Sequence, residues 1–209
     1  MTAAKKKPKN APDLSHESIR DAALELIDQD GLEEFSTRKL GRLLGCEAMA
    51  IYWYYESKDA LLDAVVEKLM VGVAAKLAGE PGSDWIATMR ALAHAYRNVA
   101  HEHPKAFPLL ATRRFASEGT FGFLDRLFEL ARAQGIDDKL AARFYRMISS
   151  YCNGFALHEL AKPPAAPRKK YVRVAAVSTH LEPSELDEIF ELGLELQLDA
   201  LTRVTSRRR

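Results

Sequence analysis

The sequence predicts an all-α protein with a small three-helix N-terminal head of helix-turn-helix form and a larger C-terminal helical domain. Three observations predict it. Apolar residues recur at i, i+3 and i+4 along most of the chain, and no stretch alternates apolar with polar residues as a half-buried strand would. Capping and stop residues bracket these stretches at helical lengths. The GEPGS cluster at 79–83 separates a short first part from a long second part.

The elements follow in order. Residues 1–13 are Lys-, Pro- and Ala-rich and are expected to form a disordered basic tail. The first helix is expected from Ser15 to Asp30. Ser15 caps it, Leu14 and Ile19 form a hydrophobic staple, and Gly31 stops it. Phe35, Ser36 and Leu40 repeat that logic for a short helix over TRKLGRLL, which Gly45 ends. A third short helix is expected over Glu47–Tyr54. Ser57 then caps a long fourth helix over 58–77, whose Leu61, Val65, Val66 and Leu69 close the small core. Further helices are expected near 84–102, 104–115, 119–134 and 138–161. PPAAPRKK at 163–170 holds three prolines and is expected to be a loop. A final helix runs from Pro183 to about Val204, before a basic tail at 207–209. The domain bounds expected are 1–13 for the tail, 14–70 for the head and 71–209 for the second domain.

Bulk properties exclude several classes. The chain has 209 residues, 47% of them hydrophobic, enough for a substantial core. Its formal net charge is only +1, so any nucleic-acid contact must come from a local basic surface. Cys46 and Cys152 fit no metal-ligand spacing, and a reduced, cytoplasmic setting is expected. MTAAKKKPKNAPD is not a secretory signal, and the apolar runs are too short and charge-interrupted to span a membrane.

The chemistry concentrates in 36–58. Two short helices joined by a tight turn at Gly45 have the helix-turn-helix outline, in which one helix braces on the DNA backbone and the next enters the major groove. Thr37, Arg38, Lys39 and Arg42 lie on or near the bracing helix. Lys58 opens the fourth helix, where its ammonium and the helix N-terminus can both meet a phosphate. Ile51 is expected to face inward. Tyr52, Trp53, Tyr54 and Tyr55 are too many rings for so small a core. Tyr55 is assigned to the core and Tyr52 and Tyr54 to DNA, with Trp53 undecided. Ala48 and Ala50 are small enough to touch a thymine methyl.

STRKLGRLLGCEAMAIYWYYESKDALLDAV resembles the DNA-binding region of the TetR family, through its TRKL opening, Leu-Gly turn, Tyr52-Trp53 pair and Lys58 with Leu61 and Leu62. With the preceding helix the likeness covers about 15–70. It implies an all-helical homodimer whose C-terminal domain binds a ligand and dimerises. It also implies that Thr37, Arg38, Ala48, Met49, Ala50, Tyr52, Trp53, Tyr54 and Lys58 face DNA. HEHPKAFPLLATRR and FELGLELQLDAL resemble parts of the tetracycline-repressor C-terminal domain, with Gly193 allowing close helix approach. Leu109 and Ala74 stand where that likeness would place metal-site histidines, so no magnesium–tetracycline site is carried over.

The resemblance leads to a ligand-responsive DNA-binding regulator, most simply a repressor. Its expected partners are a near-palindromic double-stranded operator, a small-molecule effector and a second copy of the chain, with no membrane. No cofactor, metal or catalytic residue is expected. His101-Glu102-His103 cannot converge on one ion from a single helix, and no nucleophilic triad or phosphate loop is spaced for use. An apolar or aromatic effector is expected among Met89, Phe107, Leu110 and Phe128, with Tyr151, Asn153 and His158 as polar anchors. The last helix carries Leu186, Ile189, Phe190, Gly193, Leu194, Leu196, Gln197, Leu198 and Leu201, and with helix 138–161 makes the expected dimer surface. A small helical enzyme using the Tyr/His-rich middle, or a non-DNA helical adaptor, are the alternatives. Neither explains 36–58.

Overall fold

A computed structural model describes residues 14–77, 84–113, 118–161, 171–181 and 183–206, and all regular elements among them are helical. They are α1 (His16–Asp30), α2 (Thr37–Leu43), α3 (Ala48–Ile51), α4 (Lys58–Leu77), α5 (Trp85–Glu102), α6 (Phe107–Thr112), α7 (Glu118–Ala133), α8 (Asp138–Leu160), α9 (Val172–Val177) and α10 (Leu186–Ser206), with two 3₁₀ turns between α9 and α10. The tails at 1–13 and 207–209, the 79–83 turn and the 163–170 loop lie outside the described residues.

The chain divides into two compact units. The first holds the residues up to Gly72 together with the segment that starts at His103. Ser15 caps α1 through a full capping box with Ser18, and both staple residues, Leu14 and Ile19, are buried. Ile19, Ala23, Leu26 and Ile27 of α1, Phe35, Leu40 of α2, Ile51 of α3, and Leu61, Leu62, Val65, Val66 and Leu69 of α4 form its core. Fully burying side chains of this size stabilises by roughly 1.5–3 kcal/mol each before the ordering cost is subtracted. Segment 103–113 is held to this core by charge. Nδ1 of His103 lies 2.6 Å from the Asp28 carboxylate, and Lys105 donates to the Gln29 carbonyl. Arg113 bridges Asp59 and Asp63 on α4 at 2.5 and 2.6 Å.

The second unit comprises Val73–Glu102 and the residues from Glu118 onward. Here α8 packs against α5, α7 and α10. Trp85, Met89, Phe144, Ile148, Cys152, Phe190, Leu194 and Leu198 are buried in it. At Gly193 a Cβ would collide with the Tyr151 hydroxyl and ring, so glycine leaves the room that lets Tyr151 of α8 lie against α10. Tyr151 seals that crossing by stacking on Phe190 and donating to the Phe190 carbonyl at 2.9 Å. Toward one end, buried Arg97 of α5 donates to Glu159 of α8 and to Asp187 of α10, and its guanidinium lies over the Phe190 ring.

Three elements depart from sequence expectation. The third helix is one turn long instead of reaching Tyr54. Its continuation tightens into i→i−3 bonds, Trp53 N to Ala50 O and Tyr54 N to Ile51 O. The sixth starts at Phe107, after Pro104, with Pro108 in its first turn where no donor is needed. Helix α9 was not expected, because its six residues, VRVAAV, are too few and too uniformly apolar to show a helical period.

Candidate nucleic-acid interface

The Ser36 hydroxyl accepts from Lys39 N at 3.3 Å and fixes the start of α2. Gly41, one turn later, is buried. A Cβ there would lie 2.8 Å from the Cys46 carbonyl oxygen and 3.1 Å from Ala48 N, so glycine lets the α2–α3 corner close. Cys46 N donates to Gly41 O across that corner, and Gly45 supplies its left-handed residue at φ 65°. Burial raises the Cys46 thiol pKa, which disfavours the reactive thiolate.

Ile51 anchors α3 inward, and its neighbours are thereby turned out. Met49 is 68% exposed, Trp53 62% and Tyr52 38%. Positions 49, 52 and 53 stand at i, i+3 and i+4 and share one face. Ala48 and Ala50 are half-buried at its edges, and Glu47 precedes it with no side-chain capping bond. The Tyr52 and Thr37 hydroxyls meet at 3.3 Å, joining the exposed faces of α2 and α3. Tyr54 is half-buried with its ring edge-on to His16. Tyr55 is buried and donates to the His16 carbonyl at 2.6 Å, and burial pushes its hydroxyl pKa up. The core assignment of Tyr55 is met.

The cations divide into two sets. Arg38 and Arg42, one turn apart on α2, are exposed and enter no ion pair among the described residues. Lys39 is committed to Glu34 and Asp30, whose carboxylates hold its pKa above the usual lysine value. Lys58 donates to the Phe35 carbonyl at 3.0 Å and lies over the Phe35 ring. The structure therefore brings Thr37, Arg38, Ala48, Met49, Ala50, Tyr52, Trp53 and Tyr54 onto the α2–α3 surface and turns Lys58 back onto its own unit. Sequence reasoning missed Gly41 and the His16–Tyr55 clamp. A glycine inside an otherwise helical run was the available signal for the first; nothing local signalled the second.

The effector candidates do not fall in one place. Met89, Phe128, Tyr151, Asn153 and His158 belong to the second unit, whereas Phe107 and Leu110 are buried in the first. Asn153 accepts from Tyr96 at 2.5 Å, and burial pushes the Tyr96 hydroxyl pKa far upward. Tyr151 is occupied at the α8–α10 crossing, and His158 is exposed. Phe128 meets Tyr145 edge to face and borders a recess of about 360 Å³ with Asp125, Glu129, Arg132, Asp138 and Ala142. His101 pairs with Glu159 and His94 with Glu191. No cluster of three or more metal-ligating side chains occurs among the described residues.

Comparison with known proteins places this geometry. The family described as "Bacterial regulatory proteins, tetR family" matches residues 19–65, and "Tetracyclin repressor-like, C-terminal domain" matches residues 78–205. The chain is 27% identical over 192 residues to the tetracycline repressor protein class G of Vibrio anguillarum, covering 88% of this chain and 91% of that protein. A possible TetR family transcriptional regulator from Streptomyces coelicolor A3(2) superposes with a TM-score of 0.80 at 27% identity, over 91% of this chain and 100% of that one. A TetR variant from Acinetobacter baumannii AYE, solved with minocycline, superposes with a TM-score of 0.74 at 26% identity, over 92% and 98% of the two chains. No helix among the described residues is long and apolar enough to cross a membrane.

Proposed function

The chain belongs to the tetR family of bacterial regulatory proteins and is a ligand-responsive DNA-binding transcriptional regulator, and we propose that it acts in the cytoplasm as a homodimeric repressor released from a near-palindromic operator by a small apolar or aromatic effector. DNA binding is assigned to 14–70, and effector binding and dimerisation to 71–209. The observation that carries the reading is the outward face of the α2–α3 corner, where Met49, Tyr52 and Trp53 are exposed beside Arg38 and Arg42, which are exposed and enter no ion pair among the described residues. An apolar tip flanked by unneutralised arginines suits a groove floor between two phosphate walls.

Thr37, Arg38, Tyr52, Tyr54 and Lys58 are assigned to phosphates and the groove edge, and Ala48, Met49, Ala50 and Trp53 to the groove itself. For Lys58 the role requires its ammonium to leave the Phe35 carbonyl, a short swing for a flexible lysine. Two heads spaced by about 34–36 Å would read successive turns of one duplex face. The exposed residues Ile189, Leu192 and Leu196 stand at i, i+3 and i+7 on α10, and with Met147 of α8 they make the apolar face that a second copy would cover. The candidate effector contacts are Met89, Phe107, Leu110, Phe128, Tyr151, Asn153 and His158. The chain leaves the head within α4, at Gly72, and after α5 re-enters it at His103, where segment 103–113 is tied to the head by His103 and Arg113. An effector lowers operator affinity only as far as it prefers the non-binding arrangement.

Mobility-shift titration with DNA from upstream of the protein's own gene tests this reading. Tyr52→Ala should lose sequence preference. Lys58→Ala should weaken binding to every sequence and reduce the salt slope by about one. Salt-insensitive binding that both variants leave unchanged would overturn the assignment.

A further inference from the structure

The recognition turn has an unusual chemical content for base reading. From Glu47 to Ile51 the side chains are a carboxylate, two methyls, a thioether and an inward isoleucine. None can make the two-point hydrogen bonds by which asparagine or glutamine reads adenine or arginine reads guanine. Glu47 can only accept, and a carboxylate approaching the groove meets phosphate repulsion on both sides. What projects furthest is Met49, 68% exposed on the face it shares with Tyr52 and Trp53. A flexible, polarisable thioether finds no hydrogen-bonding role at base edges, but it packs well on a methyl group. The major-groove feature that matches such a surface is the C5-methyl of thymine. Arg38 and Arg42 flank it with free positive charge, so the apolar tip is complementary to DNA and not to an apolar protein partner.

We propose that α3 reads the operator chiefly through thymine C5-methyl groups packed on Met49 and on Ala48 and Ala50, with hydrogen-bonded base readout by α3 reduced to a minor part. The proposal rests on the DNA-binding reading above and names what that site recognises. Each half-site then places thymines, on either strand, beneath α3. Removing one such methyl costs about the transfer free energy of one methylene, a loss of about fourfold in affinity. The Tyr52–Thr37 hydroxyl pair keeps that face oriented, so Tyr52→Ala loses sequence preference by releasing the methyl-reading face and not by deleting a base hydrogen bond.

The test uses the full chain and a pool of duplexes with a randomised centre. Enriched sequences are resynthesised with deoxyuridine in place of thymidine, one position at a time, and binding is measured by fluorescence anisotropy. The expected result is that enriched sites share thymines at fixed positions and that uracil weakens binding about fourfold at each of them. Where cytosine is tolerated at such a position, 5-methylcytosine should bind more tightly than cytosine. Met49→Ala, a change at an exposed position that should leave folding intact by circular dichroism, should lower the thymine-to-uracil ratio toward one at the positions that Met49 covers. Sequence-specific binding that is indifferent to uracil at every position would overturn methyl reading and leave the DNA assignment standing. Failure to enrich any sequence, with no salt-dependent binding, would overturn both.

Discussion

Gly41 carries more of the interface than its size suggests. The backbone of Cys46 and Ala48 occupies the space a Cβ would need, and backbone cannot move aside as a flexible side chain can. Gly41→Ala should therefore splay the α2–α3 corner and abolish sequence-specific DNA binding, while circular dichroism of the second unit's helices stays near wild type. Retained operator affinity would show that the corner tolerates the extra methyl. Tyr55 acts by a different route. Its hydroxyl satisfies the His16 carbonyl from 39 positions away, and Tyr55→Phe should cost about 1 kcal/mol in urea unfolding of the head. The sequence assigned the Tyr55 ring to the core, among four consecutive aromatics that so small a core cannot all bury, and it is buried. Its hydrogen bond was not legible, because the partner lies on another helix.

At the scale of elements, charge placement sets which contacts are strong. Arg97, Glu159 and Asp187 join α5, α8 and the start of α10. Burial pushes the Glu159 carboxyl pKa up, but the hydrogen bonds from Arg97 and His101 outweigh it and leave the pKa below the ordinary glutamate value. A depressed carboxylate pKa contributes stability above its unfolded value of about 4.3, and that contribution is lost as pH falls through the folded value. Glu159→Gln should accordingly flatten the acid limb of the stability–pH curve below about pH 4.5. Arg97→Ala leaves the Glu159 charge without its main partner and should destabilise by about 3 kcal/mol, whereas removing both charges together, Arg97→Met with Glu159→Leu, should cost much less. Arg113 offers the contrast. Its partners Asp59 and Asp63 are exposed, so Arg113→Ala should change stability by less than about 1 kcal/mol. The same substitution should blunt effector-driven release from DNA if segment 103–113 relays the signal. An unchanged effector response in shift titrations would remove that segment from the path.

For the whole molecule, the decisive surface is the outer face of α10. Leu192 and Leu196 are 63% and 61% exposed, although they continue the same apolar helix as the buried Phe190, Leu194 and Leu198. A helix apolar on two faces serves two cores. The pair substitution Leu192→Glu with Leu196→Glu should leave one chain folded, halve the mass in sedimentation, and weaken operator binding by at least about tenfold, since two linked heads bind far better than one. An unchanged mass would place the two-fold contact elsewhere.

The positions of α1, α2, α4, α5, α7, α8 and α10, the inward side of α1 and the helix-turn-helix outline were determined by the sequence alone, because capping chemistry and apolar periodicity act within a few residues of one another. The corner at Gly41, the clamp from Tyr55 to His16, the grouping of segment 103–113 with the head and the turning back of Lys58 onto Phe35 were decided only in the tertiary structure. Each depends on groups distant in sequence meeting at a few ångströms. Local pattern carries no record of such meetings, just as the six residues of α9, too few and too uniformly apolar to show a period, carried no record of their helix.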